Sequence, residues 1–456
     1  MTVTALSREP LARGLVEFFG GPRGTHASRP VNAMRWVLSV GWVFLAFAYL
    51  AKANCAGGIK NEDGTVSLNW AGARQYTSFC YNDIIPLYGG RGLDKPGFVY
   101  AYSWQEGDLT RYMEYPVLAG LFQGFEGWLA RTTYPLVSWA VADAGWYFAL
   151  TALTMAIMWV ATLRMVGELL GNRLWDGLLV AASPLVIMHG FTNWDIPSIT
   201  LAVAALLAVS KRKNWLGGIL IGLGFAFKMW PLFMLGAFLV LAIRDRRFVP
   251  FFRLLGGAVC AAAVVNIPIA LLYPDAWYEF FRLNSTRGWE WTTLYAMIAR
   301  NVPNLPMSAE FVNVFSLVGF LALCVGILIF GLRTQRTPRV AELVFLILVA
   351  FLMLNKVWSP QYSLWLLVPA VLALPNWRLI FTWGFFDALV WPILMLHMHG
   401  VENKGLPGEM LDLAICLRDG FILAIAVLVI RQMLGKSRDK VLADNGTDLL
   451  AGDFAK

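Results

Sequence analysis

The chain has 456 residues, of which 58% are hydrophobic and only 14% charged, and its mean hydropathy is +0.60. A water-soluble domain carries about 25% charged residues, so a soluble globular architecture is excluded. The net charge of +8 sits on no basic soluble domain, which argues against nucleic acid as a partner and reads instead as a membrane-topology signal.

Residues 1–33 are polar and rich in Pro, Gly and Arg. They are expected to form a disordered cytoplasmic N-terminal tail, with no cleavable signal peptide. Repeated apolar runs of roughly 18–25 residues then predict an all-α polytopic membrane protein. The first helix is expected at 34–53. A long loop at 54–142 follows, and its part 114–136 has the pattern of an amphipathic helix lying on the membrane surface. Further helices are expected at 143–163, 175–191, 195–210, 214–228, 230–243 and 250–273. After a loop at 274–308 they resume at 309–332, 339–355, 359–374, 377–398 and 410–432, which makes about 12 crossings in a transmembrane domain of residues 34–432. Residues 433–456 read as a polar cytoplasmic C-terminal tail.

The basic residues fix an orientation, because Lys and Arg concentrate in cytoplasmic loops. Arg164 and Arg173, Lys211-Arg212-Lys213, the group Arg244 to Arg253, Arg333 to Arg339, Arg378 and the C-terminal tail fall in alternate loops. Both termini are then inside. The loops at 54–142, 189–195, 274–308, 355–362 and 398–409 face outward.

These outward loops hold nearly every polar cluster near membrane depth. They are Tyr81-Asn82-Asp83, Glu114-Tyr115-Pro116, His189 through Asn193-Trp194-Asp195, Asn284-Ser-Thr-Arg287-Gly288 and Asn355-Lys356 through Trp358, Gln361 and Tyr362. Lys228 follows an apolar helix directly. Ionisable groups at this depth are costly and mark function, so one shared outer-face site is expected, with Asp83 its leading carboxylate. Each residue also has a plainer reading. Asp83 could cap a helix or pair with Arg91, Asp195 could cap the helix it precedes, the lysines could snorkel, and Glu114 could be a solvated charge. Arg418 and Asp419, inside one helix, read as an intramembrane pair. Cys260, Cys324 and Cys416 lie in apolar helices, whereas Cys55 and Cys80 flank a 24-residue insert and could form a disulfide in an oxidising compartment. No Cys/His spacing suggests zinc and no Asp-x-Asp pair is present, so metal-independent chemistry without a cofactor is expected.

Four stretches carry a resemblance. YNDIIPLYGGRGL with the later EYPVL is similar to the first outer loop of the membrane glycosyltransferases of family 87, in the GT-C superfamily. FTNWDIPSITLAVAALLAVSKRKNWLGGILIGLGFAFKMWPLFML and NKVWSPQYSLWLLVP resemble that family's later blocks, and NSTRGWEW matches more weakly. A single Pro116 stands where the family has two. The resemblance implies a polyprenyl-phosphate sugar as donor, a glycolipid or glycan acceptor, and Asp83 as the catalytic carboxylate. Lys228, Lys356 and Arg287 are then candidates for the donor phosphate. Tyr81, Glu114, Tyr115, His189, Asn193, Trp194, Asp195, Trp358, Gln361 and Tyr362 are candidates for sugar or acceptor. The expected reaction is inverting transfer, with mannose favoured and a pentose such as arabinose the alternative, on the outer face of the plasma membrane. A transporter or flippase of lipid-linked sugars and a non-catalytic lipid-binding homologue are the competing readings, although no internal repeat is evident. The sequence leaves the oligomeric state open.

Overall fold

The computed structural model describes residues 10, 11, 13, 14, 32–302, 305 and 307–455, so the tail expected at 1–33 lies almost wholly outside the described residues. Helix α1 (Ala33–Ala56) starts where the Asn32 side chain accepts the Arg35 N–H. The long loop after it is built from a hairpin, β1 (Gly58–Lys60) with β2 (Val66–Leu68), then α2 (Arg74–Thr77) and α3 (Ile84–Gly90). A second hairpin, β3 (Trp104–Glu106) with β4 (Leu109–Arg111), precedes α4 (Val117–Thr133). The bundle continues as α5 (Asp143–Leu170), α6 (Gly177–Ala181), α7 (Pro184–His189), α8 (Ile196–Ser210), α9 (Asn214–Phe227), α10 (Met234–Asp245) and α11 (Phe248–Leu272). After α12 (Pro274–Thr286) and α13 (Leu294–Asn301) come α14 (Ala309–Arg333), α15 (Val340–Leu354), α16 (Ser363–Ala373), α17 (Trp377–His399), α18 (Gly408–Met433) and α19 (Lys440–Asn445).

Among the described residues six helical segments are long and apolar enough to cross a membrane: Ala33–Ala56, Asp143–Ala181, Phe248–Leu272, Ala309–Arg333, Trp377–His399 and Gly408–Met433. Four shorter apolar helices accompany them. The chain is a helical, multi-pass membrane protein.

Several expected elements change on folding. The helix expected at 175–191 is broken. Ser183 caps a new start at Pro184 by accepting the Leu185 N–H, and proline cannot continue the preceding helix. The helix expected at 230–243 opens with a 3-10 turn, Trp230–Phe233, because Pro231 sits in it. The loop expected at 274–308 contains α12 and α13. Helix α4 is amphipathic as expected, but Gln123 and Glu126 are buried while Phe125 and Trp128 are exposed. Its protein-facing side is built of small residues together with Gln123 and Glu126, and its aromatic side faces outward.

The tightest helix pair is α9 against α11, and it depends on absent side chains. A Cβ on Gly218 would stand 2.0 Å from the Leu254 carbonyl oxygen, and one on Gly222 would stand 2.3 Å from that of Ala258. Backbones approach this closely only over glycine.

The C-terminal residues are an ordered strap rather than a free polar tail. Phe454 is fully buried against Phe238, with ring centroids 5.0 Å apart. Asp439 accepts from Arg339 Nε at 2.8 Å, Asp453 accepts from Asn214 at 2.7 Å, and Asp444 pairs with Arg173. Lys211 pairs with Glu168 at 2.8 Å, and Arg244 donates to the Gly331 carbonyl at 2.6 Å. These contacts collect the Arg- and Lys-rich turns at one end of the bundle and leave the polar clusters of the long loops at the other.

Candidate active site

The site begins at the turn before α3. Asn82, rather than Asp83, supplies the cap, since its Oδ1 accepts the Ile85 N–H at 3.0 Å. The Asp83 N–H donates to the Thr192 carbonyl at 2.8 Å, which fastens the turn to the segment before α8. The Asp83 carboxylate is therefore free of backbone duty. It accepts from the Tyr81 hydroxyl at 3.1 Å and from Asn193 Nδ2 at 2.6 Å. Burial pushes its pKa above the usual carboxylate range, against the pull of the Asn193 and Tyr81 hydrogen bonds and of the Lys228 charge, while Glu290 pushes it further up.

Asn193 is the junction of the site. Its Nδ2 also donates to the Tyr115 hydroxyl at 3.1 Å, and its Oδ1 accepts from Lys228 Nζ at 3.1 Å. Lys228 lies 3.7 Å from Asp195 Oδ1 and 5.2 Å from the centre of the Tyr115 ring. Asp195 does not cap α8. Its carboxylate accepts the Trp365 indole N–H at 2.9 Å. Trp365 stacks on Tyr362 at 3.9 Å, which brings the start of α16 into the same group.

A second set of charges faces Asp83. Glu290 pairs with Arg287 and accepts from the Ser359 hydroxyl at 2.6 Å. The Lys356 ammonium donates to the Arg287 carbonyl at 2.6 Å and, among the described residues, has no carboxylate within ion-pair distance. Burial, followed by the Arg287 charge, lowers its pKa, so an arriving anion would relieve it. A third pair closes the outer side. Arg91 Nε meets both Glu114 oxygens, at 2.8 and 2.7 Å, and its guanidinium lies 4.4 Å from the Trp104 ring centre. Glu114 is thus a paired charge, and Arg91 pairs with it rather than with Asp83.

All three sets line one cavity of about 630 Å³, within the range of small-molecule sites. Its polar end presents Asp83, Tyr81, Arg91, Glu114, Tyr115, Asn193, Lys228, Arg287, Glu290, Lys356, Gln361 and Tyr362. Its other end is apolar, made by Phe233, Phe280, Leu283, Leu317, Phe320 and Phe351. Helix α14, which supplies Leu317 and Phe320, buries only Val312 and Gly331, so the apolar end lies at the edge of the bundle.

Four expected contacts lie behind this wall instead of in it. His189 is fully buried and sits edge-on to Trp391 with ring centres 5.8 Å apart. Trp194 packs edge-on against Tyr115 at 5.4 Å. Asp195 holds Trp365 and Lys228, and Trp358 lies under the Arg418 guanidinium at 3.7 Å. Arg418 also meets Asp419 at 2.7 Å, as the expected pair. Cys55 and Cys80 are joined by a disulfide that ties the insert to the end of α1. Glu290, Ser359 and Trp365 belong to the site without having been singled out, and Arg91, considered only as a partner of Asp83, belongs to it through Glu114. Glu290, Ser359 and Trp365 stand within four residues of a named cluster but look in sequence like an ordinary loop charge, hydroxyl or belt aromatic. Among the described residues no three His, Cys, Asp or Glu side chains gather in a way that could hold a metal ion.

Known proteins resemble this chain at several levels. The structure of ArnT from Cupriavidus metallidurans bound to undecaprenyl phosphate aligns with a TM-score of 0.36 and 15% identity, over 89% of this chain and 78% of that one. GPI mannosyltransferase 1 of Schizosaccharomyces pombe is 26% identical over 208 residues, 42% of this chain and 54% of the relative. The chain thus spans about half the length of that relative. The family model for glycosyltransferase family 87 matches residues 115–360, from Tyr115 in the cavity wall to the turn that carries Ser359. With more than half of its length so matched, the chain belongs to glycosyltransferase family 87.

Proposed function

We propose that the chain is an inverting GT-C glycosyltransferase that moves mannose from a polyprenyl-phosphate donor to a hydroxyl of a glycolipid or glycan acceptor. The observation that carries this reading is the single cavity in which a buried carboxylate, an unpaired lysine and an apolar end meet. Family 87 membership favours sugar transfer over the transporter reading, and the mannosyltransferase relative favours mannose over a pentose.

In this reading the isoprenoid chain lies along the apolar lining formed by Phe233, Phe320 and Phe351, and the donor phosphate meets Lys356, with Arg287 and Lys228 beside it. Asp83 takes the proton of the acceptor hydroxyl. The oxygen then bonds to the anomeric carbon from the face opposite the phosphate, the bond from that carbon to the phosphate oxygen breaks, and the configuration inverts. Polyprenyl phosphate leaves with its charge stabilised by the cations. Phosphate leaves readily, so no general acid is needed. The raised pKa of Asp83 suits a base working near neutral pH.

The placement follows from charge. With the Arg- and Lys-rich end cytoplasmic, the site faces outward, where nucleotide sugars are absent and a lipid-linked donor is required. A count of twelve crossings takes Asp143–Leu170 and the broken segment at 177–189 as separate passes and adds the four shorter apolar helices and α10 to the other five long helices.

The test uses the purified full chain in lipid nanodiscs, with polyprenyl-phosphate mannose or polyprenyl-phosphate arabinose as donor and a membrane glycolipid extract as acceptor. The expected result is release of polyprenyl phosphate from the mannose donor and loss of that release in Asp83→Asn. Full activity in Asp83→Asn would overturn the mechanism, and release from the arabinose donor alone would overturn the sugar.

A further inference from the structure

The turn that carries Asp83 is gripped from behind by groups outside the lining of the cavity. Lys52, in the last turns of α1, is fully buried. Its ammonium donates to the Tyr81 carbonyl at 3.0 Å and sits 4.0 Å from the centre of the Trp391 ring. Among the described residues no carboxylate lies within ion-pair distance of it. A lysine buried in this way is costly, so its place asks for a function. Tyr81 links it to the site, since the carbonyl of that residue receives Lys52 and its hydroxyl donates to Asp83.

Trp391 completes the grip. Its indole N–H donates to the Phe79 carbonyl at 2.8 Å, and its ring stacks with Tyr81 at 6.4 Å. Phe79 has a φ of 56°, in the left-handed region, a conformation that strains a non-glycine residue and persists only where its surroundings enforce it. The next residue, Cys80, is tied to α1 by the disulfide with Cys55. From Phe79 to Asp83, the turn is thus fastened to α1, to α17 and to the segment before α8.

We propose that Lys52, seated on Trp391, is a positioning residue for Asp83: it holds the Tyr81 backbone, and through it the Tyr81 hydroxyl that donates to the carboxylate. The inference rests on the reading of Asp83 as general base. The other groups facing Asp83 are Tyr81 on its own segment, Asn193 before α8, Lys228 after α9, Tyr115 before α4 and Glu290 before α13. Lys228 faces the cavity, whereas Lys52 stands on the protein side, where substrate phosphate cannot reach it.

Lys52→Met and Lys52→Gln in the full chain test this. The methionine variant removes the donor to the Tyr81 carbonyl; the glutamine variant keeps an amide donor there. For Lys52→Met, kcat should fall about tenfold with the donor KM unchanged within about twofold, and amide exchange over 79–85 should speed up. In Lys52→Met the rising limb of the pH–rate profile should move to higher pH, because a loosened Tyr81 hydroxyl stabilises the ionised carboxylate less. Lys52→Gln should keep slow exchange, the parent kcat within about threefold and an unmoved limb. If Lys52→Met does not fold, Lys52→Gln decides by this rescue. A folded Lys52→Met with an unmoved limb, or a folded Lys52→Gln that loses kcat about tenfold, would overturn the proposal. Should Asp83→Asn stay fully active, the reading of Asp83 as base fails instead. The exchange measurement then still reports on the grip independently of the chemistry.

Discussion

Replacing Asn193 with alanine should disable the site without touching a group that reacts. The Asn193 side chain makes a 2.6 Å hydrogen bond to Asp83 Oδ2 and a 3.1 Å bond to the Tyr115 hydroxyl, and it receives Lys228 at 3.1 Å. The first of these is made to a buried carboxylate, and such charge-assisted bonds contribute about 1.5–3 kcal/mol. Asn193→Ala should therefore lower kcat/KM roughly tenfold to a hundredfold. The sign of the pH effect follows from the same bond. Asn193 holds the Asp83 pKa down against burial, so its removal raises that pKa, and the rising limb of the pH–rate profile moves to higher pH. Donor release assayed from about pH 5 to pH 9 reads both effects. Asn193→Ala with kcat/KM within twofold of the parent and an unmoved limb would refute the reasoning, because the carboxylate would then owe nothing to its nearest donor.

Three further outcomes are expected. Lys356→Met should raise the donor KM by roughly tenfold or more, since it removes the cation that has no acidic partner in the cavity; a titration of polyprenyl phosphate as product inhibitor measures the same loss. At neutral pH Asp83→Asn should raise the thermal midpoint even as it removes activity. The folded pKa of Asp83 lies above its unfolded value, so its contribution to stability is greatest below the unfolded pKa and is lost as pH rises through the folded one; a lower midpoint for Asp83→Asn at pH 7 would refute this. Gly218→Ala should cost stability by about 1–3 kcal/mol through its 2.0 Å approach to the Leu254 carbonyl, as read by thermal unfolding of the solubilised chain.

Much of the fold was legible because a bilayer imposes a coarse rule. Apolar runs long enough to cross it stand out from composition alone, and α1, α11, α14, α17 and α18 run within a few residues of their expected ends. The misread elements are those where a local conflict decides. Ser183 and Pro184 break one helix, Pro231 retunes another, and the C-terminal strap owes its order to Phe454 and four aspartates finding partners far away in sequence. The face of α4 was legible as amphipathic but not in its sense, because only the folded chain shows which side meets protein and which meets the surroundings.

The site divides in the same way. Sequence alone determined that Asp83, Asn193, Lys228, Arg287, Lys356, Gln361 and Tyr362 lie at helix ends in polar breaks, because charge at those depths is tolerated only with a purpose. Tertiary structure alone decided which of the candidates share a cavity and which stand behind it. His189, Trp194, Asp195 and Trp358 are as polar or aromatic as their neighbours, yet each is turned into the core. Pairing is likewise a property of the fold: Arg91 meets Glu114 across 23 residues, Glu290 meets Ser359 across 69, and Asp83 meets Asn193 across 110. A side chain's partner depends on where helices cross, and a chain whose helices are all apolar carries little record of those crossings until it packs.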